Sequence, residues 1–135
     1  MIIQNDNQGK PLFSVGVECE CQLTENSNGD ICVAEKAGQA FVVVHGAGKL
    51  RFKYKGNFNV TFMLNIFSPS DIVTDINNLI LISYGCTTID VIDSDGNFLR
   101  YLYYSCSGGM SIDIDNNLVV GDSKDGKIKI IKYLQ

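Results

Sequence analysis

The sequence predicts an all-β protein made of three related units, each folding as an antiparallel sheet. Three observations carry this. Short apolar runs rich in Val and Ile recur along the chain and suit buried strands. Gly is plentiful at 13 residues and Pro scarce at 2, which favours tight turns between strands. The chain also repeats itself: 30–50 aligns with 78–98 at an offset of 48, and 78–93 with 117–132 at an offset of 39.

The first unit spans 18–55. Its inner strand covers 22–25. The core at 30–44 holds two apolar runs around a polar middle, hence two strands. Gly48 supplies a tight turn, because Gly accepts positive φ at little cost, into a fourth strand at 50–54. There Leu50, Phe52 and Tyr54 alternate with Lys49, Arg51, Lys53 and Lys55. The first set is expected to face the next blade, and the second to face water on a lysine-guarded edge. The second unit, 71–104, repeats the order: inner strand 72–75, core 78–92, turn at Gly96, outer strand from 98. The third, 110–134, has an inner strand at 111–114 and a core at 117–131 but no fourth strand. A spare outer strand is expected at 7–14, where Gly9 precedes Lys10-Pro11-Leu12-Phe13. Four antiparallel strands per unit, repeating every ~40–50 residues, is the pattern of a β-propeller. The fold class is therefore a partial propeller of three blades over 1–135. Three blades do not close a ring. A homodimer, with the spare strand of each copy completing the third blade of the other, would give six.

Lys and Arg number 11 against 15 Asp and Glu, for a net charge of −4. That balance opposes a nucleic-acid binder, whose affinity comes largely from phosphate neutralisation. Apolar runs such as 40–44 are too short to cross a bilayer. The first residues lack the basic and apolar regions of a signal peptide. The expected location is the cytoplasm, with no membrane contact. Five Cys without a C-x-x-C, beside the single His45, offer no zinc spacing; they are read as small apolar residues. Asp93-Ser94-Asp95-Gly96-Asn97 opens like a calcium loop, but the sixth and twelfth positions are Phe98 and Tyr104 instead of Gly and Glu. It is read as an aspartate-capped turn. His45 sits in a glycine-rich turn with no marked nucleophile. No catalytic residue, metal or cofactor is assigned, and an enzyme is not expected.

The residues of the first and third cores resemble NHL-repeat propellers, while the second departs from the pattern at Ser83-Tyr84-Gly85-Cys86-Thr87-Thr88. Ile31-Cys32-Val33-Ala34-Glu35 and Leu118-Val119-Val120-Gly121-Asp122 follow that family's Leu/Ile-x-Val-Ala/Thr-Asp phrase, and Asp75 and Asp113 fit its inner-strand Asp. The likeness covers Lys10 to Tyr133 and extends to C-terminal regions of tripartite-motif proteins of molluscs, through phrases such as Gly48-Lys49-Leu50-Arg51-Phe52 and Asp95-Gly96-Asn97-Phe98-Leu99. The lead-ins Ser68-Pro69-Ser70-Asp71-Ile72 and Ser107-Gly108-Gly109-Met110 depart from the family's Pro-x-Gly. The resemblance implies a recognition module that binds a protein partner through the propeller face, as the substrate-binding part of a ubiquitin ligase whose RING is not in these residues. Single-stranded RNA binding is the alternative, and a propeller-only scaffold or degenerate fragment a third reading. The implied face carries Lys36, Tyr84 and Lys124, in equivalent loops between second and third strands, with Asp71 at a lead-in. Aromatic residues are enriched at such interfaces, which singles out Tyr84. Tyr101, Tyr103 and Tyr104 are expected to pack between blades.

Overall fold

The computed structural model describes residues 2–13, 21–36, 40–57, 69–84, 87–103 and 109–134. Among them are eleven strands and no helix. Strands β1 (Cys21–Glu25), β2 (Ile31–Glu35), β3 (Ala40–Val44) and β4 (Leu50–Tyr54) form one antiparallel sheet in chain order. Strands β5 (Pro69–Thr74), β6 (Ile80–Tyr84), β7 (Thr88–Ile92) and β8 (Phe98–Tyr103) form the second. Strands β9 (Met110–Ile112), β10 (Leu118–Asp122) and β11 (Lys127–Ile131) form the third. β5 lies against both β1 and β9, so the inner strands are neighbours and the sheets stack as consecutive blades.

Among the described residues one turn is used six times. In each, the first residue's N–H donates to the fifth residue's carbonyl, and the fourth residue's N–H donates back to the first residue's carbonyl: Asp6–Lys10, Asn26–Asp30, His45–Lys49, Asp75–Leu79, Asp93–Asn97 and Asp113–Asn117. The fourth position has positive φ every time, and holds Gly9, Gly29, Asn78 (61°), Gly48, Gly96 or Asn116 (62°). Only Gly and Asn enter that region readily, so the turn selects its own residue. Asp in first position adds a cap: Asp113 Oδ1 accepts from the amides of Asp115 at 2.9 Å and Asn117 at 2.8 Å. Asp93 does the same for Asp95 and Asn97, both at 2.9 Å, as the capped-turn reading expects. In blade 1 the imidazole takes this place, His45 Nδ1 accepting from the Ala47 amide at 3.0 Å.

Period-two alternation sends each strand into two interfaces. Ile80, Ile82, Tyr84 and Ile92 pack with Cys32, Ala34, Phe41, Val43 and Tyr54 between blades 1 and 2. Leu81, Ile89, Val91 and Leu102 pack with Leu118, Val120, Ile131 and Tyr133 between blades 2 and 3. Burying each Ile or Leu contributes about 1.5–3 kcal/mol, which makes these two seams the core.

Three expectations need correcting. The repeats are not gapless. Ile31 pairs with Glu25 as Ile80 pairs with Thr74, 49 residues on, whereas Val44 and Ile92, their partners across the next ladder, lie 48 apart. Likewise Ile80 and Leu118 are 38 apart but Ile92 and Ile131 are 39 apart. Blade 2 is one residue shorter between its second and third strands. A one-residue slip exchanges the two faces of a strand, so Glu35, Tyr84 and Asp122 are the true equivalents. Second, Leu50 does not share a face with Phe52. The ladder shifts between Val43 and Val44, which pair with Phe52 and Leu50. This bulge leaves Arg51 as the extra residue and turns Leu50 the other way, onto Leu12, against which Ile3 and Phe13 also pack. Third, residues 7–13 are not a lone strand. They belong to a short hairpin over 2–13, with the turn at Gly9, a single bridge Asn5↔Pro11, and the Leu12 amide donating to Gln4 O at 3.0 Å. Residue 14 lies outside the described residues.

Candidate functional site

The register places the ends of β2, β6 and β10 and the starts of β1, β5 and β9 at one end of the blades. Glu35, Tyr84 and Asp122 hold the same last position of the second strand, and all three are buried. Lys36 follows Glu35 and is exposed; Lys124 is exposed in the turn after β10. Asp122 organises that turn: Oδ1 accepts from the amides of Lys124 at 3.0 Å and Asp125 at 3.3 Å, and Oδ2 meets Lys129 Nζ at 3.4 Å. Asp71 is half-buried. Its Oδ1 accepts from the Ile72 amide at 2.8 Å, and its Oδ2 from the Met110 amide at 2.7 Å, joining the starts of two inner strands. Beside it opens a shallow cavity of about 380 Å³ lined by Asp71, Gly109, Met110, Ser111, Val119, Gly121 and Ile128.

Lys36, Lys124 and Asp71 therefore share one end of the molecule, but Tyr84 is not the exposed loop residue expected. It pairs with Thr88 as the last residue of β6, the place that Glu35 and Asp122 hold in the other two blades. It is 7% exposed, and its hydroxyl donates to Asp90 Oδ1 at 3.0 Å. Asp90 Oδ2 accepts from Tyr54 Oη at 2.5 Å. Sequence reasoning missed Asp90, although an aspartate inside Thr88-Ile89-Asp90-Val91-Ile92 is itself a signal that a partner waits across the sheet. Full burial pushes the Asp90 carboxyl above its ordinary range, and the hydroxyls of Tyr54 and Tyr84 and the Asn57 backbone amide offset only part of this. Burial and the adjacent carboxyl raise both phenols.

Asp90 therefore binds its proton more tightly folded than unfolded. Its contribution to stability is greatest below the unfolded value of 3.8 and declines as pH rises through the folded value. Asp113, held down by the Asn117 amide, works in the opposite sense: its contribution is present above 3.8 and lost as pH falls through its depressed value. Asp90→Asn mimics the neutral form. The stability difference between variant and wild type is expected to shift toward the variant as pH rises above 3.8, measured by urea unfolding. A difference independent of pH would contradict the assignment.

Other candidates settle differently. Arg51 is exposed, as expected, but its charge is paired. Its guanidinium reaches Asp30 Oδ2 at 3.0 Å and Asp95 Oδ1 at 2.9 Å, tying the Asp30 turn of blade 1 to the outer turn of blade 2. The basic row of β4 is thus interrupted. Tyr101 and Tyr103, expected between blades, are 41% and 61% exposed, with ring centroids 4.8 Å apart, edge to face. Leu102, between them, takes the interior place; Tyr104 lies outside the described residues. Burial pushes the Cys32 thiol up to about 12, which makes it a weak nucleophile. Among the described residues no group of three His, Cys, Asp or Glu could hold a metal.

No protein-family model matches the chain, and no curated protein does. Solved structures do. A streptogramin B lyase superposes with a TM-score of 0.66 at 20% identity, over 96% of this chain and 43% of that one. Virginiamycin B lyase from Staphylococcus aureus, as its selenomethionine form, gives 0.63 at 19%, over 97% and 48%. A catalytically inactive variant of that lyase with quinupristin gives 0.62 at 18%, over 96% and 47%. The chain spans less than half the length of each. These neighbours correct one expectation: the same fold carries catalysis in lyases, so a propeller architecture gives no ground for setting enzymes aside. At such identities the likeness shows the fold alone, and this chain is a partial β-propeller.

Proposed function

We propose that the chain supplies blades to a recognition propeller, and that the end carrying Lys36, Lys124 and Asp71 binds a protein partner. The observation that carries this reading is the equivalence of Glu35, Tyr84 and Asp122. Each blade buries its second-strand terminus and so fixes the point from which the following loop leaves the sheet. Loops on a rigid sheet are where binding residues concentrate. The resemblance to NHL repeats supports the finer form, in which the face selects what a tripartite-motif-like ubiquitin ligase binds. RNA is disfavoured by the net charge of −4 and by the ion pairs of Arg51, which break the basic row.

The test is capture by the purified chain, followed by crosslinking and mass spectrometry of the contact. Lys36→Glu with Lys124→Glu is expected to weaken capture by about tenfold or more, with modest dependence on salt. Unchanged capture by the double variant would remove this end of the blades from the site. Capture that falls steeply with salt and is abolished by ribonuclease would favour RNA.

A further inference from the structure

The outer strands of blades 1 and 2 are built alike and guarded differently. Each pairs with the third strand of its own blade and has no strand on its other edge among the described residues. Each carries the same bulge, between Val43 and Val44 opposite β4 and between Val91 and Ile92 opposite β8. The registers therefore match residue for residue. Val42 pairs with Lys53 where Asp90 pairs with Tyr101, and Phe41 with Tyr54 where Ile89 pairs with Leu102. Arg51 and Leu99 are the extra residues of the two bulges, and Lys55 and Tyr103 follow in step.

On blade 1 the exposed positions of this edge are Arg51, Lys53 and Lys55. Charges on an open strand edge oppose the addition of another strand, because covering them costs hydration. On blade 2 the same three positions hold Leu99, Tyr101 and Tyr103, which are 50%, 41% and 61% exposed. The two tyrosine rings meet edge to face, and Tyr101 stacks on Phe98 at a centroid distance of 6.3 Å. Phe98 in turn packs against the core between blades 1 and 2. The rings are thus held in place beforehand and lose little freedom when covered. β8 belongs to the middle blade, whose neighbours on both sides are present, so no missing blade accounts for its bare edge. An open row of main-chain donors and acceptors selects an extended peptide. The rings beside it select what that peptide carries, since aromatic and β-branched residues are the favourable cross-strand partners of tyrosine.

We infer that the outer edge of β8 takes up an extended segment of a protein partner as a fifth strand of blade 2, with uncharged β-branched or aromatic residues at alternate positions set against Tyr101 and Tyr103. The surface is a strand edge and not a set of loops, so the inference goes beyond the reading given to Lys36 and Lys124 and does not rest on it.

Selection from a library of random peptides about eight residues long, enough to run beside the 6 residues of β8, is expected to enrich sequences in which Val, Ile, Thr, Tyr or Phe alternates with polar residues. Enriched peptides, remade with a fluorescent label, give the dissociation constant by polarisation. Tyr101→Lys with Tyr103→Lys, which copies the guard of blade 1, is expected to raise it at least about tenfold. Both side chains are exposed, so the urea midpoint should stay near that of the wild type. Hydrogen exchange adds a reading on the unaltered chain: bound peptide should raise amide protection within Phe98–Tyr103. Lys36→Glu with Lys124→Glu should leave peptide binding unchanged; a loss there would place the peptide on the loops instead and overturn the inference. Failure to enrich any alternating sequence would overturn it as well, as would peptides that bind the double tyrosine variant as tightly as the wild type. Outward amides of β8 already protected in the free chain would mean that the chain covers its own edge. Protection that rises with protein concentration would mean that a second copy does. Either result excludes the partner segment.

Discussion

Replacing Asp75 with Ala is expected to cost about 3 kcal/mol of stability, read as a lower midpoint in urea. The carboxylate is 3% exposed and serves two blades at once. Oδ1 accepts from the amides of Asn77 at 2.9 Å and Leu79 at 2.8 Å, which closes the turn between β5 and β6. Oδ2 accepts from Tyr133 Oη at 2.6 Å and Asn116 Nδ2 at 3.5 Å, which brings in the tail beyond β11 and the matching turn of blade 3. Alanine leaves a buried hydroxyl and two turn amides without their acceptor, and the unmade bonds weigh more than the lost ones. Tyr133→Phe should cost less, about 1 kcal/mol, and the pair should be strongly non-additive because they share one bond. A loss below about 1 kcal/mol for Asp75→Ala would mean the carboxylate does not hold the two blades together.

Gly96→Ala is expected to be almost as damaging, at about 2–3 kcal/mol. Its φ is +88°, and a Cβ there would meet the Phe52 ring at 2.7 Å from Cδ2 and 3.0 Å from Cγ. Backbone strain and a clash across the blade 1–blade 2 seam therefore add. Gly29 is the internal control. It holds the same turn position at φ +84° with nothing within 4 Å, so Gly29→Ala should cost only the strain, about 1 kcal/mol. Phe52→Leu in the Gly96→Ala background should recover part of the loss, since a smaller side chain makes room for the new methyl. Equal costs at Gly29 and Gly96 would show that the ring yields and that the contact is not a constraint.

Much of the architecture was legible before any coordinates. The Val- and Ile-rich runs of 31–35, 80–84 and 118–122 are strands because no other placement buries them, and the turn residues are Gly or Asn because the fourth position demands positive φ. Less of the candidate site was legible. Lys36 and Lys124 sit in loops as their polarity implies. Tyr84 looked like a loop residue because aligning the repeats without a gap hid a one-residue difference in the connection before β7. Asp90 was passed over because its partners, Tyr54 and Tyr84, lie 36 and 6 residues away in sequence, and a buried carboxylate is recognised by what surrounds it.

The sequence by itself determined the all-β class, the three units and the residue chosen at each turn, because these follow from local alternation and backbone sterics. Tertiary structure alone decided which face of each strand meets which blade, where the bulge at Arg51 turns Leu50, and which acids are buried. Those outcomes hinge on register. A shift of one residue, too small to disturb a pattern of apolar runs, exchanges interior for surface along a whole strand.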